Sequence, residues 1–290
     1  MNGLLCQFAH RFPELAAQIL QRDKHKRRNF REETITDILM AGLTAFEPCG
    51  IRVDYPLNES LTGEDMDWEF VAPHALDGRR YLRLHIQAKR AIQSSGKTPY
   101  WFYRELDHES PKGAGKGTQA QTLVAQAKAT AGCVPLYMFY HPHDAVVAKS
   151  GRLPAIEGVN VMFADRMLQQ VGASWPVAEK KVDRWRPHFM PLSRLLCWAG
   201  DSFHAERVGV DGAVEFLVRS SGGNFSPGAL ADRLNDADVE FRPGVDRMPV
   251  EAVEVIPDST LRALSGELSD EFRATLKRPR VLFHSYGVDV

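Results

Sequence analysis

Residues 81–90 read Tyr-Leu-Arg-Leu-His-Ile-Gln-Ala-Lys-Arg. Apolar side chains occupy the even positions up to 88, so the stretch is predicted to be a β-strand with two unlike faces. Residues 66–72 alternate in the same way, with Met66, Trp68 and Phe70 at even positions. Directly opposed residues of an antiparallel pair face the same way, so the two strands must pair odd with odd. That pairing predicts a connection longer than a two-residue turn.

The odd face of this strand pair carries side chains suited to phosphodiester hydrolysis. That reaction requires oxygen ligands for a cation and a positive group near the attacking water. Asp65 and Asp67 lie on the first strand, and Gln87 and Lys89 on the second. Parity allows Asp65 to lie opposite Gln87 or Lys89, and it allows Asp67 to lie opposite His85 or Gln87. The alternative is an amphipathic hairpin whose polar face is simply solvated.

Periodicity predicts the elements around these strands. A helix is expected over residues 31–46, with Glu32 and Glu33 in its first turn, where the helix dipole favours carboxylates. Glu32 borders the apolar stripe of that helix, whereas Glu33 points away from the stripe. Further helices are expected at 4–20, 118–130 and 164–171, and further strands at 52–57, 134–140, 158–163 and 281–284.

The chain resembles the PD-(D/E)xK nucleases at Thr62-Gly63-Glu64-Asp65 and Ile86-Gln87-Ala88-Lys89-Arg90. The middle position holds Gln, as in the Mrr-type restriction endonucleases, and Glu64 stands where the name-giving proline would be. The resemblance covers roughly residues 28–142. It implies an α/β fold, with a restriction-endonuclease-like αβββαβ core, a mixed central sheet and a C-terminal α+β extension.

The same resemblance implies a role for each site residue. Asp65 would be the central metal ligand, with Asp67 as the alternative, and Gln87 would add its side-chain oxygen. Glu32 would complete the metal site from the helix, with Glu33 as the alternative; Glu32 is preferred because it borders the apolar stripe. Lys89 would orient or deprotonate the attacking water and stabilise the transition-state charge. The implied cofactor is Mg²⁺, with Mn²⁺ as the alternative.

The implied function is metal-dependent hydrolysis of nucleic acid, by a DNA endonuclease in a bacterial defence or restriction setting. Nucleic acid is therefore the expected partner, beside a second copy of the chain or a defence-system protein. Phosphate contacts are expected at five basic residues, for which a solvated surface is the alternative: Lys26, Arg27, Arg28, Arg90 and Lys116.

Two other functions compete with the nuclease. One is a nucleic-acid-binding or sensor module that keeps the fold and has lost catalysis. The other is a nucleotide binder, since residues 113–118 read Gly-Ala-Gly-Lys-Gly-Thr. A working phosphate loop of that kind needs a buried strand before it and a helix after it.

Bulk properties bound the remaining expectations. A net charge of -1 excludes a global field that would draw the chain to nucleic acid, so any attraction must be local. Three regions are expected: a lead-in and basic run at 1–27, a nuclease core at 28–150 and an accessory region at 151–290. The four cysteines form no CxxC pair, which predicts reduced thiols in a cytoplasmic protein. The sequence contains no run of 18 apolar residues, so no membrane-spanning helix is expected.

Overall fold

A computed structural model describes residues 3–22, 30–57, 65–107, 118–148, 151, 153–170, 176–197, 226–240, 249–266 and 269–284. The helices in these ranges are α1 Leu4–Arg22, α2 Glu32–Thr44, α3 Gln119–Lys128, α4 His143–Val147, α5 Ala164–Gln170, α6 Val182–Trp185, α7 Ser193–Leu196, α8 Pro227–Glu240, α9 Asp258–Leu264 and α10 Asp270–Thr275. The strands are β1 Ile51–Asp54, β2 Asp65–Val71, β3 Tyr81–Gln93, β4 Trp101–Tyr103, β5 Cys133–Tyr140, β6 Val159–Phe163, β7 Met190–Pro191 and β8 Arg280–His284. Short 3-10 helices lie at Glu47–Cys49, Val177–Lys180 and Arg186–His188.

The pair β2–β3 forms with the predicted parity. It is antiparallel, odd residues oppose odd ones, and residues 72–80 provide the long connection between the strands. Met66, Trp68 and Ile86, on the even face, are fully buried against residues of α1 and α2 such as Phe12 and Leu39. This burial fixes the register, because a shift of one residue would turn the apolar side chains to the opposite face.

The described strands form one mixed eight-stranded sheet in the order β1-β8-β2-β3-β5-β6-β7, with β4 paired to β3. The fold is therefore α/β, as predicted. The strand β8 pairs antiparallel with β1 and parallel with β2, so it lies between two strands that are consecutive in sequence. The region 151–290 thus contributes β6, β7 and β8 to the same sheet. The proposed division into three regions stays a prediction.

Helices cover both faces of the sheet. The helices α1 and α2 pack on the even face of β2 and β3. On the other face, Leu123 and Val124 of α3 pack with Tyr137 and Phe139 of β5 in a second buried cluster. The two long strands β3 and β5 run parallel, as expected when the connection between them carries a helix.

The cysteines differ from the sequence prediction. Cys6 of α1 and Cys197, just after α7, form a disulfide across 191 residues of sequence, so the expectation of reduced thiols was wrong for this pair. The two positions are too distant in sequence for spacing to reveal the pairing. Cys133 is free, and burial raises its pKa to about 12. None of the helices in the described ranges has the length and apolar composition needed to cross a bilayer.

Candidate active site

The register of β2 and β3 brings the predicted polar residues together on the face covered by α3. Asp65 lies opposite Gln87 and Asp67 opposite His85, which is one of the two registers that parity allowed. Only the backbone of Asp65 belongs to the described part of the chain. Asp67 is the diagonal neighbour of Gln87 on this face, within reach of a shared ligand.

Lys89 is held in a buried position by the start of α3. Its side chain is 1% exposed, and its Nζ donates to the Gln119 Oε1 at 2.8 Å. Thr118 and Gln121 form a capping box that starts the helix at Gln119 and so fixes the amide above the strand. The polar face is therefore not the solvated surface that was the alternative reading. It is enclosed between the sheet and α3.

The Asp67 Oδ1 and the Gln87 Oε1 are buried on this face, and neither oxygen has a hydrogen-bond partner within the described residues. Buried polar atoms are nearly always paired, so two orphan oxygens on adjacent strands require an explanation. A bound cation would supply it, since carboxylate and amide oxygens are ligands that Mg²⁺ and Mn²⁺ accept.

The charge of Asp67 also fits a cation site. Burial raises the pKa of Asp67 above its ordinary value, and the nearby Arg278 and Arg83 offset only part of that increase. The ionised carboxylate is thus under-compensated by the protein alone. A divalent cation would stabilise it, so the residues present fit the metal that the sequence implied.

Glu32 begins the helix α2, which lies on the face of the sheet opposite to Gln87 and Lys89. Its helix α2 packs on the even face, and its neighbour Thr36 shares a 2.9 Å hydrogen bond with the Tyr140 hydroxyl. Burial raises the pKa of Tyr140, and the charge of Glu32 contributes to that rise. Tyr140 is paired with Arg90 at the end of β3, so Glu32 lies at the same end of the sheet as Lys89. Its role as a ligand stays a prediction.

The predicted phosphate contacts are only partly within the described residues. The Arg90 guanidinium donates to the Phe30 carbonyl, so it anchors the segment that enters α2. Lys26, Arg27, Arg28 and Lys116 lie outside the described residues, as do residues 113–117 of the glycine-rich loop. Among the described residues, the last strand before this loop is β4, which is off the main sheet path and pairs with β3. It differs from the central strand that a phosphate loop requires.

Arg278 and His85, to which the sequence assigned no role in the site, lie beside Asp67. Arg278, two residues before β8, donates to the ring of His85, and its Nη1 lies 3.9 Å from the Asp67 Oδ1. Burial, together with the positive charges of Arg278 and Arg83, lowers the pKa of His85 to about 3. The imidazole is therefore neutral near pH 7 and accepts the hydrogen bond. Residues 277–280 read Lys-Arg-Pro-Arg, a visible basic run, but nothing in the sequence places it beside β2.

A cavity of about 340 Å³ extends from Asp67 and His85 along the same face. Its walls include Glu69 and Arg83 of the sheet and Gln126 near the end of α3. Glu69 accepts hydrogen bonds from Arg83 and Thr260, both at 2.7 Å. The side chains that line the cavity are thus mostly polar, and some of them are hydrogen-bonded to one another. The Asp67 carboxylate is part of this lining.

Comparison with known proteins gives a family but no activity. The model of a family described as a family of unknown function, DUF6615, matches residues 5–286. No curated protein and no solved structure matches the chain. The match extends across the sheet from α1 to β8.

Proposed function

This chain belongs to the DUF6615 family, and we propose that it is a metal-dependent nuclease that hydrolyses phosphodiester bonds of DNA. One observation carries the proposal. Two buried oxygens without a hydrogen-bond partner, on Asp67 and Gln87, lie on the same face of the β2–β3 pair as the buried ammonium of Lys89. The carboxylate and the amide oxygen can hold a cation, and the ammonium beside them can act on the attacking water; these are the groups that the reaction requires. The resemblance to PD-(D/E)xK nucleases adds support from the sequence.

The roles follow from the positions of the side chains. Asp67 and Gln87 would hold Mg²⁺, or Mn²⁺ in its place, and Asp65 stays a candidate as a further ligand. The cation, when bound, supplies charge neutralisation for the phosphate and lowers the pKa of water. Lys89 orients the attacking water and neutralises charge on the phosphate oxygens, and the Gln119 amide holds its Nζ in place. The enclosing α3 keeps bulk water from screening these charges.

The test is cleavage by the full chain of plasmid DNA, single-stranded DNA and RNA, each with Mg²⁺, Mn²⁺ or EDTA. We expect cleavage of DNA with either metal and none in EDTA. Asp67→Ala and Lys89→Ala should each abolish it, whereas Asp236→Ala, an exposed aspartate of α8, should not. Parallel assay of Asp65→Ala determines which aspartate is essential.

Absence of cleavage of every substrate, in any metal, would contradict the proposal. If DNA still bound under those conditions, the catalytically inactive binding or sensor module would be the better description. Loss of activity in Asp65→Ala with full activity in Asp67→Ala would move the central ligand to Asp65.

The proposal includes a cytoplasmic site of action and a defence or restriction role, both of which rest on the resemblance. The Cys6–Cys197 disulfide provides a check on the compartment, because disulfides are rare in the reducing cytoplasm. Alkylation of free thiols in intact cells, followed by mass spectrometry, would report the state of this pair in the cell.

A further inference from the structure

The cavity beside Asp67 lies next to the proposed metal ligands without containing Gln87 or Lys89 among its walls. It runs between the sheet, Gln126 and Thr130 at and just after the end of α3, and the segment that leads into β8. At about 340 Å³ it falls within the range of small-molecule sites. It is too small for a duplex, so only one nucleotide of a strand could enter it.

Positive charge exceeds negative charge in the lining. The ionic groups of the walls are the cations Arg83, Lys277, Arg278 and Arg280 and the carboxylates Asp67 and Glu69. Two of the cations are held by carboxylates, since Arg83 donates to Glu69 at 2.7 Å and Arg280 donates to Asp54 at 2.6 Å. The two remaining cations are Arg278, which lies 3.9 Å from the Asp67 carboxylate, and the exposed Lys277.

Arg278 is placed as a phosphate ligand would be. Its guanidinium donates to the His85 ring and is 3.5 Å from the Gln126 amide oxygen, which together fix its direction. The Asp67 carboxylate lies at 3.9 Å, beyond hydrogen-bond distance, so it does not form the bidentate pair that an arginine and a carboxylate usually make. A guanidinium held in this way matches the geometry of a phosphate group.

We propose that this cavity receives one unpaired nucleotide of the DNA strand, with its phosphate bound by Arg278 and its base enclosed between α3 and the β8 lead-in. The identification of the ligand as part of a DNA strand rests on the proposed nuclease function. A base enters such a cavity only when it is unstacked, which costs least in single-stranded or distorted DNA. The enzyme should therefore prefer single-stranded or locally unpaired substrate.

The test is calorimetric titration of the full chain with a deoxynucleoside 5′-monophosphate, in EDTA so that no cleavage chemistry contributes. Arg278→Gln should weaken binding by about tenfold or more, the effect of losing a charge-assisted hydrogen bond. Arg104→Gln removes an exposed arginine from the turn after β4 and should bind as the wild type does. Thr130→Trp fills the mouth of the cavity and should also weaken binding, and thermal unfolding shows whether each variant is folded.

Two further titrations identify the ligand. The deoxynucleoside without phosphate should bind more weakly than the nucleotide, and inorganic phosphate should as well. Equal affinity for phosphate and nucleotide would overturn the inference that a base is enclosed. Unchanged nucleotide affinity in folded Arg278→Gln would overturn the inference as a whole.

Failure of this inference can be told from failure of the proposed function. Asp67-dependent cleavage without nucleotide binding in EDTA would leave the nuclease and remove the nucleotide cavity. Nucleotide binding that depends on Arg278, without cleavage of any nucleic acid, would leave the cavity and remove the nuclease.

Discussion

Asp67 provides the sharpest test, because catalysis and stability should respond to it in opposite directions. Asp67→Asn keeps the shape of the side chain and removes its charge. The pKa of Asp67 is raised, which means that burial destabilises the ionised carboxylate by more than the charges of Arg278 and Arg83 stabilise it. In EDTA the variant should therefore be more stable than the wild type at pH 7, by about 1.4 kcal/mol for each unit by which the folded pKa is raised.

The pH dependence of this difference follows from the same shift. Below the ordinary aspartate pKa of 3.8 the residue is protonated in both the folded and unfolded states, and its burial penalty is absent. As pH rises, the unfolded state ionises first, so the wild type loses stability until pH passes the raised folded pKa. The advantage of Asp67→Asn should thus be largest near neutral pH and shrink towards pH 3.8.

Added Mg²⁺ should reduce or reverse this difference in stability. A ligand at 100 times its dissociation constant stabilises the folded state by about 2.7 kcal/mol, and this gain requires the carboxylate. Urea denaturation in EDTA and in Mg²⁺, with Asp236→Asn as the exposed control, measures both effects. The reasoning is refuted if Asp67→Asn is less stable than the wild type in EDTA, or if Mg²⁺ stabilises both proteins equally.

Three further predictions concern other residues. Lys89→Met should reduce the cleavage rate by about 10² to 10⁴ while Mg²⁺-dependent stabilisation persists, because the ammonium acts on the water and not as a ligand; loss of both effects would contradict this. Cys6→Ser should lower the free energy of unfolding by up to about 5 kcal/mol, as for any cross-link that closes so long a loop, and reductant should then have no further effect. Replacing Arg27 and Arg28 with Ala should flatten the salt dependence of DNA binding, measured in Ca²⁺, by up to about two log–log units, at about 0.9 per phosphate contact; identical slopes would assign this run to solvated surface.

The sequence was sufficient for the local structure around the site. Alternation of apolar and polar residues in 66–70 and 82–89 predicted the strands, their common parity and the long connection, because the period of two ties each residue to a face. The same period placed Gln87 and Lys89 together. Parity alone could not choose between the two registers, since both bury the same apolar stripe.

The enclosure of the polar face was beyond sequence reasoning. An alternating strand with polar odd positions is usually half-solvated, and only the packing of α3 shows that Lys89 is buried and held by Gln119. Whether Asp65 or Asp67 is the ligand was likewise open. The orphan oxygen of Asp67, a property of three-dimensional packing, is the reason that Asp67 enters the proposal as a ligand.

Long-range contacts were decided by the tertiary structure. The sequence identified a strand at 281–284, but strand pairing between distant segments leaves no local pattern, so the position of β8 between β1 and β2 was not predictable. That position places Arg278 beside Asp67, and the segment before β8 forms one wall of the cavity. The pairing of Cys6 with Cys197 has the same origin. Periodicity therefore determined which residues face together, and the assembly of the sheet determined which distant cations and thiols meet them.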